Sequence, residues 1–254
     1  MGEHIETERD GHLFVVTINR PEVRNSLNSA ACHELSAIWD EFEADPELWI
    51  AIVTGAGDKA FCAGHDLSDD DPMPATGWAG LSLRTTPISK PMIAAVNGHA
   101  FGGGFELALA CDIVVVDERA NFAMSEPRVG FVALGGGADR LALRLPTPVA
   151  MGILLTGRRL EAAEAYRWGM ATDVASAGTT MEVARRWAEQ IMLCSPIAVR
   201  YTKQLALEAL EGPEWTAAMG RRRQEIMNGL RSLADLQEGI DAFAQKRKPI
   251  WLGR

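Results

Sequence analysis

Cysteine is scarce in this chain and badly placed for cross-links or metal. The four cysteines, Cys32, Cys62, Cys111 and Cys194, form no CxxC pair and no metal-ligand spacing. That predicts reduced, buried thiols in a cytosolic protein. Basic residues are outnumbered: 25 Lys+Arg stand against 34 Asp+Glu, a net charge of -9, and the pI is near 5.1. The balance excludes a nucleic-acid partner, which needs a basic face, while leaving room for a local basic patch that takes a small anion. No stretch is apolar enough for long enough to cross a bilayer. The longest run free of Asp, Glu, Lys and Arg, Pro91–Phe105, has 15 residues and is rich in glycine. The opening MGEHIETERD is charged and lacks an apolar h-region, so no secretory signal is expected and a cytoplasmic location is. Glu6 stands where N-myristoylation wants Ser or Thr. A GxSxG elbow and an HExxH helix are missing as well.

What remains is ordinary globular composition, 47% apolar and 23% charged over 254 residues. That length corresponds to one or two domains, and folding buries about 70% of the unfolded surface. Leu13–Asn19, Trp49–Thr54, Pro91–Asn97 and Ile113–Val116 are short apolar runs, read as strands buried on both faces. Between them, Asn28 caps a helix running to about Phe42, with Cys32, Leu35, Trp39 and Phe42 on one stripe, and Leu107–Cys111 continues a short apolar helix. This β–α–β rhythm predicts an α/β fold with mainly parallel strands.

After about Leu145 the strand signal fades and helices dominate. Thr179–Glu182 and Ser232–Asp235 read as capping boxes, the first opening a helix with Val183, Trp187 and Ile191 on one face. Met219, Ile226, Leu233 and Ile240 recur every seven residues, which suits a subunit interface or packing onto the same chain. Asp66–Asp71 and the Pro/Gly-rich stretch to Gly80 read as a solvated loop or as a lid over a substrate.

The chemistry concentrates in VNGHAFGGGFELALACD, residues 96–112. A strand runs into Gly102-Gly103-Gly104 and a helix begins at once. Such a turn lets backbone approach a ligand and leaves N–H groups free at the positive end of a helix dipole, a site for an anion or oxyanion. No Lys or Ser/Thr follows the glycines, so it is not a phosphate-binding P-loop. Glu106 lies in the first turn of this helix: an acid/base group among apolar neighbours, or a surface carboxylate complementing the dipole. FCAGHDL (61–67) offers a second small-residue bend, whose functional atom is read as a backbone N–H near His65 rather than as a Cys62–His65 nucleophile pair. FAMSEPRVG (122–130) carries Glu126, which a strand return can bring to the same helix mouth, although spacing does not establish it. GAGDKA (55–60) has the outline of a dinucleotide fingerprint and keeps a nicotinamide oxidoreductase as a rival, but Asp66–Asp71 and two prolines arrive before any amphipathic helix.

Taken together these blocks resemble the enoyl-CoA hydratase/isomerase (crotonase) family over essentially the whole chain. INRPEVRNSLN (18–28), FCAGHDL, GGGFELALACD, FAMSEPRVG, LTGRRLEAAEAYRWGMA (155–171) and AFAQKRKPIWLGR (242–254) stand in family order. The likeness is greatest to the carnitinyl-CoA (crotonobetainyl-CoA) dehydratase branch. It rests there on AFGGGFELALA, Trp78-Ala79-Gly80-Leu81, GRR…EAYRWGM and the closing KRKPIWLGR.

The resemblance implies a superhelix of ββα units over residues 1–195 and a helical C-terminal region, 196–254, that builds a homotrimer or a dimer of trimers. It implies an acyl-CoA substrate, with no metal and no redox cofactor, coenzyme A being part of the substrate. By position, the oxyanion donors are the backbone N–H groups of His65 and Gly103. Glu106 activates water and Glu126 delivers the α proton. Val23 and Arg24 lie near the adenine end of the coenzyme, Ala63, Asp66, Leu67 and Gly102 also bind the acyl-CoA, and Phe243 and Lys246 reach the nucleotide from a neighbouring subunit. Two departures lie beside the acyl pocket. Ser125 stands where many relatives have Pro, with Pro127 following Glu126, and Ala133-Leu134-Gly135-Gly136-Gly137 replaces the usual Pro-x-x-Gly-Gly. A quaternary ammonium acyl group would want an aromatic or acidic cradle, for which Trp78 and Asp69–Asp71 are the candidates. Rivals on the same scaffold are a 3,2-enoyl-CoA isomerase and a CoA-binding paralogue without catalysis.

Overall fold

Strand β1 (Ile5–Asp10) turns back through Gly11 onto β2 (Leu13–Ile18) as an antiparallel hairpin, and from there the sheet is parallel. The computed structural model describes residues 2–66, 68–69, 71–81, 87–210 and 234–253, and for Leu236, Phe243 and Ala244 only the backbone. After β2 come α1 (Ser29–Ala44), β3 (Ile50–Gly55), β4 (Ala60–Cys62), β5 (Met92–Val96), β6 (His99–Phe101), α2 (Gly103–Ala110), β7 (Ile113–Asp117) and β8 (Asn121–Ala123). Then follow α3 (Gly137–Arg144), α4 (Thr147–Thr156), β9 (Leu160–Glu161), α5 (Ala162–Arg167), β10 (Asp173–Ala175), α6 (Thr180–Met192) and α7 (Pro196–Leu210), with α8 (Ala234–Gln245) near the end.

The strands form two sheets, ordered β1-β2-β3-β5-β7-β10 and β4-β6-β8-β9. The pairs β3β4, β5β6 and β7β8 each place one strand in the large sheet and the next in the small one. Each pair then hands over through a loop or helix to the next pair, laid parallel beside it. This is the expected winding of ββα units.

The apolar runs are strands because both faces of the large sheet are covered. Pleating sends alternate residues to opposite sides. Leu13, Val15, Ile50, Ile52, Ile93, Ala95 and Val115 pack against Val183, Ala184 and Ala188 of α6. Their neighbours Phe14, Val16, Ala51, Val53, Ala94 and Val96 join Cys32, Leu35, Trp39 and Phe42 of α1 and Phe105 of α2 in the main core. Full burial of each large side chain stabilises the fold by roughly 1.5–3 kcal/mol.

Asn28 caps α1 as anticipated, its Oδ1 accepting from the Ala31 N–H at 3.0 Å. The acidic loop adds a second cap, because the Asp69 carboxylate accepts from the Ser29 N–H. Asp66 is held by Arg20 at 3.3 Å and by Ser68, and Ala79 and Gly80 are buried, so this part of the loop is built into the fold rather than solvated. Thr179 does not form the expected capping box: its hydroxyl donates to the Ser176 carbonyl instead. At α8 the predicted cap Ser232 lies outside the described residues. The Asp235 carboxylate binds the Leu252 and Gly253 N–H groups of the tail, at 2.7 and 3.0 Å. Met219, Ile226 and Leu233 of the heptad pattern are likewise outside, and Ile240 is exposed. Cys32, Cys62 and Cys111 are buried thiols, but Cys194, at the exposed end of α6, is not. Among the described residues no helix is long and apolar enough to cross a membrane, and no three His, Cys, Asp or Glu cluster to hold a metal.

Candidate active site

The site forms where β4 and β6 end side by side. On the outer edge of β4 runs the RPEVRN loop. Asn25, at φ 57°, donates from Nδ2 to the carbonyls of Ala56 (3.0 Å) and Ala60 (2.7 Å), while Arg24 O accepts from Ala63 N (3.0 Å). Leu27 then makes a parallel bridge to His65, taking the Gly64 C=O and the Asp66 N–H at 2.8 and 2.9 Å. Alternation along extended chain turns the His65 N–H the other way, toward the β6 edge. Among the described residues it has no protein acceptor.

Gly64 sits at φ +100°, and a methyl group there would lie 2.8 Å from the Phe101 carbonyl oxygen and 3.3 Å from the Gly103 nitrogen. The two bends therefore touch, and only glycine fits at their contact. At Gly102, φ +51°, the chain turns from β6 into α2, leaving the Gly103 N–H at the first helical position without a protein acceptor among the described residues. Two N–H groups with no protein acceptor among the described residues thus lie on adjoining bends, an arrangement suited to an oxygen that gains negative charge.

Both carboxylates reach this place. Glu106, one turn into α2, is only 6% exposed, which removes the surface-dipole reading. Its Oε1 accepts from the Gly137 N–H at 2.9 Å. Burial pushes its carboxyl up, while the Gly137 and Gly135 N–H groups and the Arg140 charge pull it back. Arg140 also donates to the Gly135 carbonyl at 2.9 Å, holding the glycine loop over Glu106. That loop is the departure noted at 133–137, and its contact with Glu106 was not read from the sequence. The one available signal was three consecutive glycines at a helix start, the same pattern as at 102–104.

Glu126 opens a single helical turn, Glu126–Val129, after β8. The parallel pairing of β6 with β8 and the Gly102 N–H bond to Ala123 O (2.8 Å) bring it alongside the Gly102 turn. A methyl on Gly102 would lie 3.2 Å from the Glu126 Oε1. Its Oε2 is buried without a partner among the described residues. Burial pushes this carboxyl up, its own N–H opposes that, and the Glu106 charge adds to the rise. Both carboxyls are thus pushed up by burial, Glu126 in part also by the Glu106 charge.

The other named residues fall around this centre. Val23 and Arg24 are exposed on the RPEVRN loop, Ala63 and Asp66 flank the His65 bend, and Lys246, at φ 53°, is exposed beyond α8. Leu67, Asp70 and the Phe243 side chain lie outside the described residues. Cys62 is no nucleophile: burial pushes its thiol up to about 12, and its Sγ accepts from the Gly64 N–H. Asp69 is spent on the start of α1 and is not a free acidic cradle. GAGDKA leads from β3 into β4 rather than into a helix, which is not the local structure of a dinucleotide site.

The family model for enoyl-CoA hydratase/isomerase matches residues 8–254. Curated relatives include proteins named carnitinyl-CoA dehydratase from Proteus mirabilis (strain HI4320), 39% identical, and from Escherichia coli (strain SMS-3-5 / SECEC), 38% identical, each covering 100% of both chains. Among solved structures, an enoyl-CoA hydratase from Mycobacterium tuberculosis H37Rv superposes with a TM-score of 0.92 at 36% identity, covering 99% of both chains. One from Bacillus anthracis gives 0.89 at 32% identity, covering 99% of this chain and 100% of the other. The ββα winding, the paired glycine bends and the full-length match agree: the chain belongs to the enoyl-CoA hydratase/isomerase family.

Proposed function

We propose that this protein is an enoyl-CoA hydratase that adds water reversibly to a 2-enoyl-CoA thioester. The observation that carries the reading is the approach of buried Glu106 and half-buried Glu126, whose Oε2 is enclosed, to the bend that frees the Gly103 N–H. In the hydration direction the thioester oxygen takes the His65 and Gly103 N–H groups. Ionised Glu106 accepts a proton from water as its oxygen bonds to Cβ, and the π electrons move onto the thioester oxygen as an enolate. Protonated Glu126 then delivers its proton to Cα and the thioester carbonyl re-forms. A proton passing from Glu106 to Glu126 restores the starting state. Removing one oxyanion donor costs about 2.7–4 kcal/mol in a serine protease, and acid/base groups typically supply ~10²–10⁴-fold.

Val23, Arg24, Ala63, Asp66, Leu67 and Gly102 would then border the acyl-CoA path, with Phe243 and Lys246 of a neighbouring copy near the nucleotide. The protein would act in the cytoplasm as a homotrimer or dimer of trimers. Exposed Val129, Phe131, Val132 and Leu134 beside the site, and Leu143 and Leu155 on α3 and α4, fit coverage by another copy.

A second reading, dehydration of carnitinyl-CoA, is the same chemistry run backwards on a polar acyl group. It is favoured by the names of the curated relatives. The test follows loss of the conjugated enoyl-thioester absorbance across crotonyl-, longer-chain and crotonobetainyl-CoA. Turnover of plain alkyl substrates supports the first reading, and turnover of crotonobetainyl-CoA alone supports the second. Turnover of none leaves a CoA-binding protein without catalysis, which stabilisation by CoA in a thermal melt would show. A 3,2-enoyl-CoA isomerase would keep much of its activity in E106Q, where a hydratase collapses.

A further inference from the structure

Trp78 is seated against the Gly103 bend by a stretch of strained backbone. Residues Trp78–Gly80 form one 3-10 turn entered through Gly77 at φ 75°, with Ala79 at φ 54° and Gly80 at φ 67°. The left-handed conformation is unfavourable for an alanine, and such strain persists only where the surroundings over-determine it. Here they do. The buried Ala79 is held at both ends, its carbonyl accepting from Trp39 Nε1 at 3.0 Å and its N–H meeting Cys32 Sγ at 3.4 Å. Gly80 lies so close to α1 that a methyl there would be 2.7 Å from Ser36 Cα, and Thr76 Oγ1 donates to Ser36 Oγ at 2.8 Å.

The turn delivers the indole onto Gly103. A methyl at Gly103 would fall 2.7–2.8 Å from Cζ2, Cε2 and Cη2 of the ring. Gly103 itself is helical and not in the left-handed region, so the ring, not the backbone, is what demands glycine there. The indole Nε1 is buried and has no acceptor among the described residues. Packing, rather than a hydrogen bond, therefore sets the ring's orientation.

We propose that Trp78 is a positioning residue of the oxyanion hole: its ring, seated by the strained Gly77–Gly80 backbone, fixes the tilt of Gly103 and so aims the Gly103 N–H at the thioester oxygen. This rests on the enolate reading above. It assigns the turn at 77–80 a role in catalysis, although Trp78 donates nothing to the reacting atoms.

The test compares W78F, W78L and W78A by steady-state kinetics, thermal melting and the red shift of bound cinnamoyl-CoA, whose absorbance moves to longer wavelength when its carbonyl is polarised. W78A is expected to lose ~10–100-fold in kcat with KM within about two-fold, and to lose the red shift, somewhat less than deletion of a donor costs. W78F, which keeps an aromatic ring, retains most of both. W78L falls between them and carries the test if W78A melts below the assay temperature. G103A should be badly impaired because its methyl meets the ring, and W78A/G103A should exceed G103A alone. Retention of kcat and red shift in W78A overturns the proposal, and so does a W78F as impaired as W78A. Absence of any red shift in the parent protein would instead remove the enolate reading.

Discussion

The two sheets of this protein divide stability from chemistry. From β2 to β7 the six-stranded sheet is apolar on both faces, and its strands run five or six residues through most of its width. In the four-stranded sheet β4, β6 and β8 have three residues each, and the chain leaves the ladder at once into the bends at 63–66, 102–103 and 124–126. A long ladder spends its N–H groups on neighbouring strands. A short one releases them where a ligand can take them. The candidate site therefore lies at the ends of the smaller sheet and borrows its rigidity from the larger.

The sharpest way to break that division is to remove function without touching stability. E106Q keeps the acceptor for the Gly137 N–H and discards a carboxylate that burial already disfavours. It should lower kcat by ~10²–10⁴-fold with a melting temperature equal to or above that of the parent. Loss of the Glu106 charge should also bring the Glu126 carboxyl down toward its ordinary range, since that charge holds it up. A carbon-labelled glutamate titration by NMR reads this shift, and a Glu126 that titrates higher in E106Q would contradict the coupling.

The converse variant lies in the large sheet. Ile52, fully buried against α6, touches none of the site bends. I52A should cost about 2–5 kcal/mol in urea unfolding and leave kcat and KM of the surviving folded protein within two-fold. A ten-fold change in kcat would show that the two sheets do not act separately.

The same contrast explains what was legible before the structure. Strands of the large sheet announce themselves as apolar runs such as IAIVT and MIAAV. The Asn28 cap and the glycine triplet before Glu106 are local patterns, each complete within a few residues. Three-residue strands have no periodicity to detect, so β4 carried no strand signal, while β6 was read only as the strand entering the glycine triplet and β8 only as a strand return before Glu126. Glu126 was visible as a candidate, but its approach to Gly102 depends on the parallel pairing of β6 with β8, which no spacing encodes. The glycine loop over Glu106 and the Trp78 contact with Gly103 are long-range packing. The Thr179 signal misled because a hydroxyl that suits a cap also suits a nearby carbonyl.

A smaller effect is expected where the large sheet meets its last strand. The Asp117 side chain at the end of β7 is buried and accepts from Arg119 Nε (2.9 Å) and from the Gly178 N–H (2.8 Å), tying β7 to the turn before α6. Burial alone would raise its carboxyl, but Arg119 and these N–H groups overcome that and hold it at about 2, below its ordinary 3.8. A depressed folded value means stability that is complete above about pH 4 and lost as pH falls toward 2. D117N should therefore cost about 2 kcal/mol at neutral pH and flatten that acid limb, with no change in kcat. An unchanged acid limb would place the proton uptake elsewhere.

The smallest effect belongs to the exposed edge of the large sheet. Strand β1 is an edge whose alternate residues Glu6, Glu8 and Asp10 carry charge, a pattern that discourages pairing with another sheet. Arg185 of α6 reaches Glu8 at 3.2 Å and Asp10 at 2.9 Å, but both carboxylates are more than 60% exposed. Solvent and salt screen such pairs to roughly 0.2–1 kcal/mol. R185A should shift the urea midpoint by that little at low ionic strength and by nothing at 1 M salt, with activity intact. If the loss exceeded ~1 kcal/mol and survived high salt, the arginine stem would be packing α6 onto the β1 edge, and the stabilising part of the large sheet would extend to its outermost strand.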